Sequence, residues 1–230
     1  MFRNFLKNPV VVHQEISRNE FIEGTKRRLS TINSEFRHMF KFLKNCPHSV
    51  SFFGSSRVAE DHPCYIHARE LAKRISSELG YAVVTGGGGG VMEAANRGAF
   101  EAGGKSIGMN IVLPHEQKMN QYLTAHMRFY YFFIRKVALS FSAEVYIFFP
   151  GGFGTLDEFF ELVTLIQTKK IQKMPIICVG HEYWQKVFDL AVTLRDDYAA
   201  IDPGDEKIFH ITDNDEEIME IIKNAPPRKQ

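Results

Sequence analysis

Phe148-Phe149-Pro150-Gly151-Gly152-Phe153-Gly154-Thr155-Leu156-Asp157-Glu158 is the stretch that decides the fold. The apolar run from Val145 to Phe149 has the length of a buried strand, a proline and three glycines stop it, and an apolar helical period begins at Leu156. This is a strand, a glycine turn and a helix. Glycines at 151, 152 and 154 let the backbone take conformations closed to other residues and let a ligand approach the main chain. The helix start aims free N–H groups at the same place, so the turn suits an anion, and a phosphate above all.

Working outward, the same grammar recurs twice upstream. Ser49 to Phe53 reads as a strand that runs into Gly54-Ser55-Ser56-Arg57, and a helix from His62 to Leu79 follows. A second strand, Tyr81 to Val84, ends in Thr85 and the five glycines 86 to 90, before a helix through Met92, Ala95 and Ala99. A third strand is expected at Ser106 to Ile111, closed by Leu113-Pro114, with an irregular surface loop from His115 to Thr124. The aromatic run Phe129 to Phe133 then leads into a helix from Ile134 to Phe141. Downstream, strands at Met174 to Val179 and Ile208 to Ile211 alternate with helices at Tyr183 to Arg195 and Asp215 to Lys223, and the tail from Ala225 reads as frayed. This alternation predicts an α/β protein, a Rossmann-like doubly wound parallel sheet with ligands at the carboxyl ends of its strands. Residues 1–46, with apolar side chains such as Phe21, Ile22, Leu29, Ile32 and Phe36 at helical spacing, form an N-terminal helical extension, and residues 47–230 form the Rossmann-like domain.

Charge and cysteine content narrow the partners. Lysine and arginine number 28 against 27 aspartates and glutamates, which leaves no basic field to draw nucleic acid or a membrane surface. A small molecule is the expected partner. Cys46, Cys64 and Cys178 show neither a disulfide framework nor a paired zinc spacing, no apolar run reaches the ~20 residues of a membrane span, and the opening residues lack a signal-peptide core. The expected location is the cytoplasm.

Several side chains are candidates for chemistry. Thr155-Leu156-Asp157-Glu158 has the spacing of a capping box, with Thr155 as N-cap, so Glu158 has a structural reading beside a catalytic one. Leu156, Phe159, Phe160, Val163 and Ile166 make the expected buried stripe of that helix, which leaves Asp157 and Glu161 solvated or at an interface. Arg135 presents a forked donor set suited to a phosphate or to a carboxylate such as Glu158, whereas Lys136 reads as a surface residue. Gly87 and Gly88 in the five-glycine run serve either a tight turn or direct ligand contact, and Glu93 suits either the helix N-terminus or the ligand crevice. No HExxH spacing, no GxSxG elbow and no acidic residue placed for a dinucleotide ribose occur, so neither a metal nor a cofactor is expected.

Thr85-Gly86-Gly87-Gly88, Val91-Met92-Glu93-Ala94-Ala95-Asn96-Arg97-Gly98-Ala99, Arg135-Lys136 and Pro150-Gly151-Gly152-Phe153-Gly154-Thr155 with Glu158 resemble the signature blocks of the Lonely Guy family. The resemblance runs from about Ser49 to Trp184. It departs at Gly89, where proline is common, and at Tyr131-Phe132-Phe133-Ile134, where Met-His-x usually precedes the Arg-Lys pair. It implies a phosphoribohydrolase that cuts the N-glycosidic bond of AMP or of cytokinin nucleotides. Arg135 and Glu158 would be catalytic, and Ser55, Ser56, Gly87, Gly88, Glu93, Lys136, Gly151, Gly152, Gly154 and Thr155 would bind the substrate in a homodimer or higher homo-oligomer. Relatives often carry the label lysine decarboxylase, which no pyridoxal-phosphate lysine motif supports here. A nucleotide or cofactor carrier on the same fold is the rival reading.

Overall fold

The computed structural model describes residues 17–44, 46, 48–112 and 118–228. The expected closure at Leu113-Pro114, the start of the loop at His115 and the first part of the arm lie outside the described residues. Seven strands form one parallel sheet: β1 (Ser49–Phe53), β2 (Ala82–Thr85), β3 (Ser106–Ile111), β4 (Ala125–Phe129), β5 (Val145–Phe148), β6 (Ile176–Cys178) and β7 (Phe209–Ile211). Their order is β4-β3-β2-β1-β5-β6-β7, so the chain winds outward from β1 on one side and resumes at β5 on the other. The register sets Phe53 opposite Phe148, which brings the ends of β1 and β5 level.

Helices cover both faces, as a parallel sheet requires. On one face lie α1 (Arg18–Leu43), α4 (Phe132–Ser140), α5 (Phe153–Gln167) and α6 (His181–Asp196), packed through Met39, Ile134, Phe159 and Trp184 onto Phe53, Met109 and Phe148. On the other lie α2 (Pro63–Leu79), α3 (Val91–Glu101) and α7 (Asp215–Lys223), packed through Leu71, Ala95 and Ile218 onto Val50, Phe52 and Ile147. Local chemistry ends these helices where the sequence suggests. The His62 ring accepts from Cys64 N–H at the start of α2, and Gly80 closes it at φ 71°.

One strand was not anticipated, and four expectations need correction. Ala125 to Arg128, to which the sequence reading assigned no element, pair with β3 together with Phe129 as an edge strand in which half-buried Ala125 and Met127 alternate with exposed His126 and Arg128, and Phe129 is buried. Helix α5 begins at Phe153 with Gly152 as its N-cap, so Thr155 is already inside the helix and the capping box with Glu158 does not form. The buried stripe of α5 runs through Phe159, Leu162 and Ile166, while Phe160 is 39% exposed. In α1 the far half is bare: Phe21, Ile22 and Leu29 are exposed, and Ile32, Phe36, Met39 and Leu43 carry the packing. The tail is tied rather than frayed at Arg228, which donates to Ser142 O and to Cys46 O. Among the described residues no helix is long and apolar enough to cross a membrane.

Candidate active site

Where β1 and β5 lie side by side the strand order reverses, and open α/β sheets take ligands beyond the carboxyl ends of their strands at such a point. Ser55 ties the turns together there. Its N–H donates to Pro150 O at 3.0 Å, and its carbonyl accepts from Val91 N–H at 2.9 Å. The Ser55 hydroxyl accepts from Arg57 N–H at 3.1 Å, and Ser56 is exposed.

The Gly86–Gly90 turn is buried and braced from within. Gly87 and Gly90 stand at φ 71° and 64°, and a side chain at Gly90 would run into the Ser55 carbonyl. Three asparagines hold the loop. Asn110 donates to Gly87 O at 3.1 Å and Asn120 to Gly88 O at 3.0 Å, while Asn96 accepts from the Thr85 hydroxyl at 2.6 Å and donates to Ser106 Oγ at 2.8 Å. Sequence reasoning gave these asparagines no role of their own. The signal was Asn96, a polar residue on the apolar face of α3 beside Ala95 and Ala99.

The second turn is open. Among the described residues no neighbouring heavy atom lies within 4 Å of where a side chain would stand at Gly152 or Gly154, whereas Gly151 lies against the Thr155 hydroxyl. Thr155 and Leu156 N–H groups turn back to Gly152 O at 3.0 and 3.1 Å. The earlier N–H groups at the start of α5 have no intrahelical acceptor, and no side chain caps them. Tyr183 steadies the turn from outside by donating to Gly151 O at 2.8 Å.

Glu158 lies five residues beyond Phe153 on α5 and is buried. Beside it α4 brings Arg135, whose Nε donates to Met109 O at 2.8 Å and whose guanidinium rests against Gly86. The two charged groups are close without a direct hydrogen bond, since Arg135 Nη1 stands 3.8 Å from Glu158 Oε1. Lys136 is not a free surface cation. Its Nζ is 2.7 Å from Asp157 Oδ2 and 3.0 Å from Glu161 Oε2, so the two acids expected to be solvated hold it. Glu93 sits in the first turn of α3 and accepts from the Tyr65 hydroxyl at 3.1 Å. No contact joins it to the Arg135–Glu158 pair among the described residues.

Burial dominates the electrostatics of Glu158. It pushes the carboxyl up to about 7 from 4.5, and Lys136 and Arg135 only partly pull it back. At 3.8 Å and without a hydrogen bond, the Arg135 guanidinium does not offset the lost solvation of Glu158. A carboxyl poised near neutrality can both give and take a proton. Among the described residues no group of three or more His, Cys, Asp or Glu could hold a metal ion.

The strand order and the helices on both faces make this a Rossmann-like α/β protein, with the glycine turns and the Arg135–Glu158 pair at one edge of its sheet. Residues 92–222, more than half of the chain, match the family described as "Possible lysine decarboxylase", and the chain belongs to that family. Among curated proteins none matches it. Solved structures share its fold. A structural-genomics protein designated TM1055 is 26% identical over 78% of this chain and 100% of its own, at a TM-score of 0.58. A molybdenum cofactor binding protein from Rippkaea orientalis is 20% identical over 78% of this chain and 96% of its own, at 0.57. The molybdenum cofactor carrier protein from Chlamydomonas reinhardtii is 22% identical over 77% of this chain and 97% of its own, at 0.54.

Proposed function

We propose that this protein is a phosphoribohydrolase that cleaves the N-glycosidic bond of a nucleoside 5'-monophosphate, AMP or a cytokinin-type nucleotide, to a free base and ribose 5-phosphate. The observation that carries the reading is Glu158, a buried carboxyl held near neutrality, about 7.5 Å along α5 from the helix start at five residues of 1.5 Å rise. That spacing is on the scale of a ribose 5-phosphate. The phosphate rests on Gly151, Gly152, Gly154 and Thr155 at the positive end of α5, with Ser55 and Ser56 beside it. The ribose then reaches Glu158. As the bond to the base breaks, the sugar gains oxocarbenium character, which an ionised Glu158 stabilises. The same carboxylate accepts a proton from the attacking water and can return it to the departing base. Arg135 positions the nucleotide and Lys136 lends positive charge, while Gly87, Gly88 and Glu93 border the crevice.

A cofactor carrier on this fold is the rival. The resemblance to the two molybdenum-cofactor proteins, at 20% and 22% identity, reaches the fold alone. A carrier needs a phosphate cradle but neither a titrating Glu158 nor Arg135 beside it. The exposed rings of Phe132, Phe133 and Phe153, the last 93% exposed, support a homodimer, with residues 1–46 as an arm on the 47–230 catalytic domain.

Incubation with a panel of nucleoside 5'-monophosphates, followed by chromatography for free base, tests the reading. At least one monophosphate should be hydrolysed, and adenosine should be a far poorer substrate than AMP. Tight nucleotide binding with no base released from any member would establish the carrier instead.

A further inference from the structure

The reaction proposed above leaves the amino edge of the sheet unused, and a cavity of about 780 Å³ opens there. That is within the roughly 300–1,000 Å³ of sites that enclose a small organic ligand. Its walls are mostly apolar. Phe40 and Leu43 come from the end of α1, Phe141 and Ala143 from the turn after α4, and Tyr146 from β5. Ile171 and Met174 close it from the segment between α5 and β6. Phe40 and Phe141 are 54% and 45% exposed, so the hollow offers uncovered ring surface.

Three lysines and an arginine give the lining positive charge. Lys44, Lys169 and Lys170 lie on it, and none of their ammonium groups has a carboxylate partner among the described residues. Arg228 is different: it donates to Ser142 O and to Cys46 O and lies 3.5 Å from Glu144 Oε1. Glu144 in turn accepts from Ser49 N–H at 2.7 Å. Arg228 is therefore a fixed wall, and the three lysines are the charges a ligand would meet. Lys169 adds an independent observation. Its φ of 56° puts it in the left-handed region just past the end of α5, where glycine is the ordinary occupant. Lysine there strains the backbone, and among the described residues its ammonium gains no carboxylate in return.

We propose that this cavity is a second ligand site, for an organic anion with an apolar body and one acidic head group. The aromatic and aliphatic walls take the body, and Lys44, Lys169 and Lys170 take a carboxylate or a phosphate. The 15 residues of α5 separate it from the crevice by about 22 Å of helix, so the two sites do not overlap. Three elements nevertheless join them. Helix α4 carries Arg135 and ends at the wall, β5 runs from Tyr146 toward the glycine turn, and α5 carries Glu158 and ends at Lys169.

Fluorescence titration with 8-anilinonaphthalene-1-sulfonate, with decanoate, decyl phosphate and decanol as competitors, tests the site. One saturable site is expected, from which decanoate or decyl phosphate displaces the probe about tenfold better than decanol. The better of the two anions identifies the head group. Lys170→Glu should weaken probe binding about tenfold, and Lys169→Gly about fivefold. Lys169→Gly also relieves the backbone, so its Tm should hold or rise, which separates lost binding from lost folding. Saturating AMP should leave the probe in place. Decanol competing as well as the anions, both variants binding like the unaltered protein, or displacement of the probe by AMP would each overturn the proposal.

Discussion

Between β2 and α3 the glycines at 86, 87 and 90 are closed in, and between β5 and α5 those at 152 and 154 are open. Gly86 touches Arg135, Gly87 touches Asn110 and Gly90 abuts the Ser55 carbonyl, whereas Gly152 and Gly154 face empty space. The longer glycine run is therefore the one that neighbouring protein atoms demand. In the shorter one Gly151 is held by Thr155, but at Gly152 and Gly154 no described atom demands glycine, and a phosphate on the bare backbone is the reason that the proposed function supplies. A side chain at each turn breaks the comparison most directly. Gly90→Ala forces a Cβ onto φ 64° and against a carbonyl, and should destabilise the protein on the order of 4 kcal/mol in urea unfolding. Gly152→Ala should stay within about 1 kcal/mol of the parent, yet raise KM for the nucleotide. Equal stability losses at the two positions would mean that both turns are packing devices.

The next effect in size concerns what the open turn serves. With Gly152 as N-cap, Glu158 has no capping duty, so Glu158→Gln should fold normally. It should still lose on the order of 10²-fold or more in kcat, the scale of a positioned acid–base group. Arg135→Ala should also lower turnover, and the double variant should fall short of the product of the two if they act as a unit. Single-turnover assays with the best monophosphate decide this, and a normal kcat for Glu158→Gln sinks the catalytic assignment.

Most of the fold was legible because its strands are short apolar runs ended by glycine or proline. What escaped had specific causes. Ala125–Phe129 hides an edge strand because only one of its faces meets the core, so with His126 and Arg128 exposed the segment gave no apolar run to assign. Thr155 imitated an N-cap because residue type and spacing fit a capping box, but they do not say where the helix begins. Arg135 and Glu158 are 23 positions apart in sequence, and their proximity came only from the resemblance; the pattern of neither helix encodes it. The charge state of Glu158 was beyond sequence altogether. Two cations stand near it, and burial still outweighs both.

That charge state gives the smallest expected effect and the sharpest test of the crevice. In the unfolded chain Glu158 titrates near 4.5, and in the fold near about 7, so the native state holds the proton more tightly. Its contribution to stability is complete below 4.5 and is lost as pH rises through about 7. The gap corresponds to at most about 3 kcal/mol. Glutamine keeps the shape and never ionises. Glu158→Gln should therefore match the parent in Tm at pH 4.5 and exceed it at pH 8 by up to about 6–12 °C, given ~2–4 °C per kcal/mol for a chain of this size. Buried active-site charges commonly trade stability for activity in this way. A Tm difference that does not change with pH would show that Glu158 ionises like an exposed carboxylate, and would remove its capacity to exchange a proton at neutral pH.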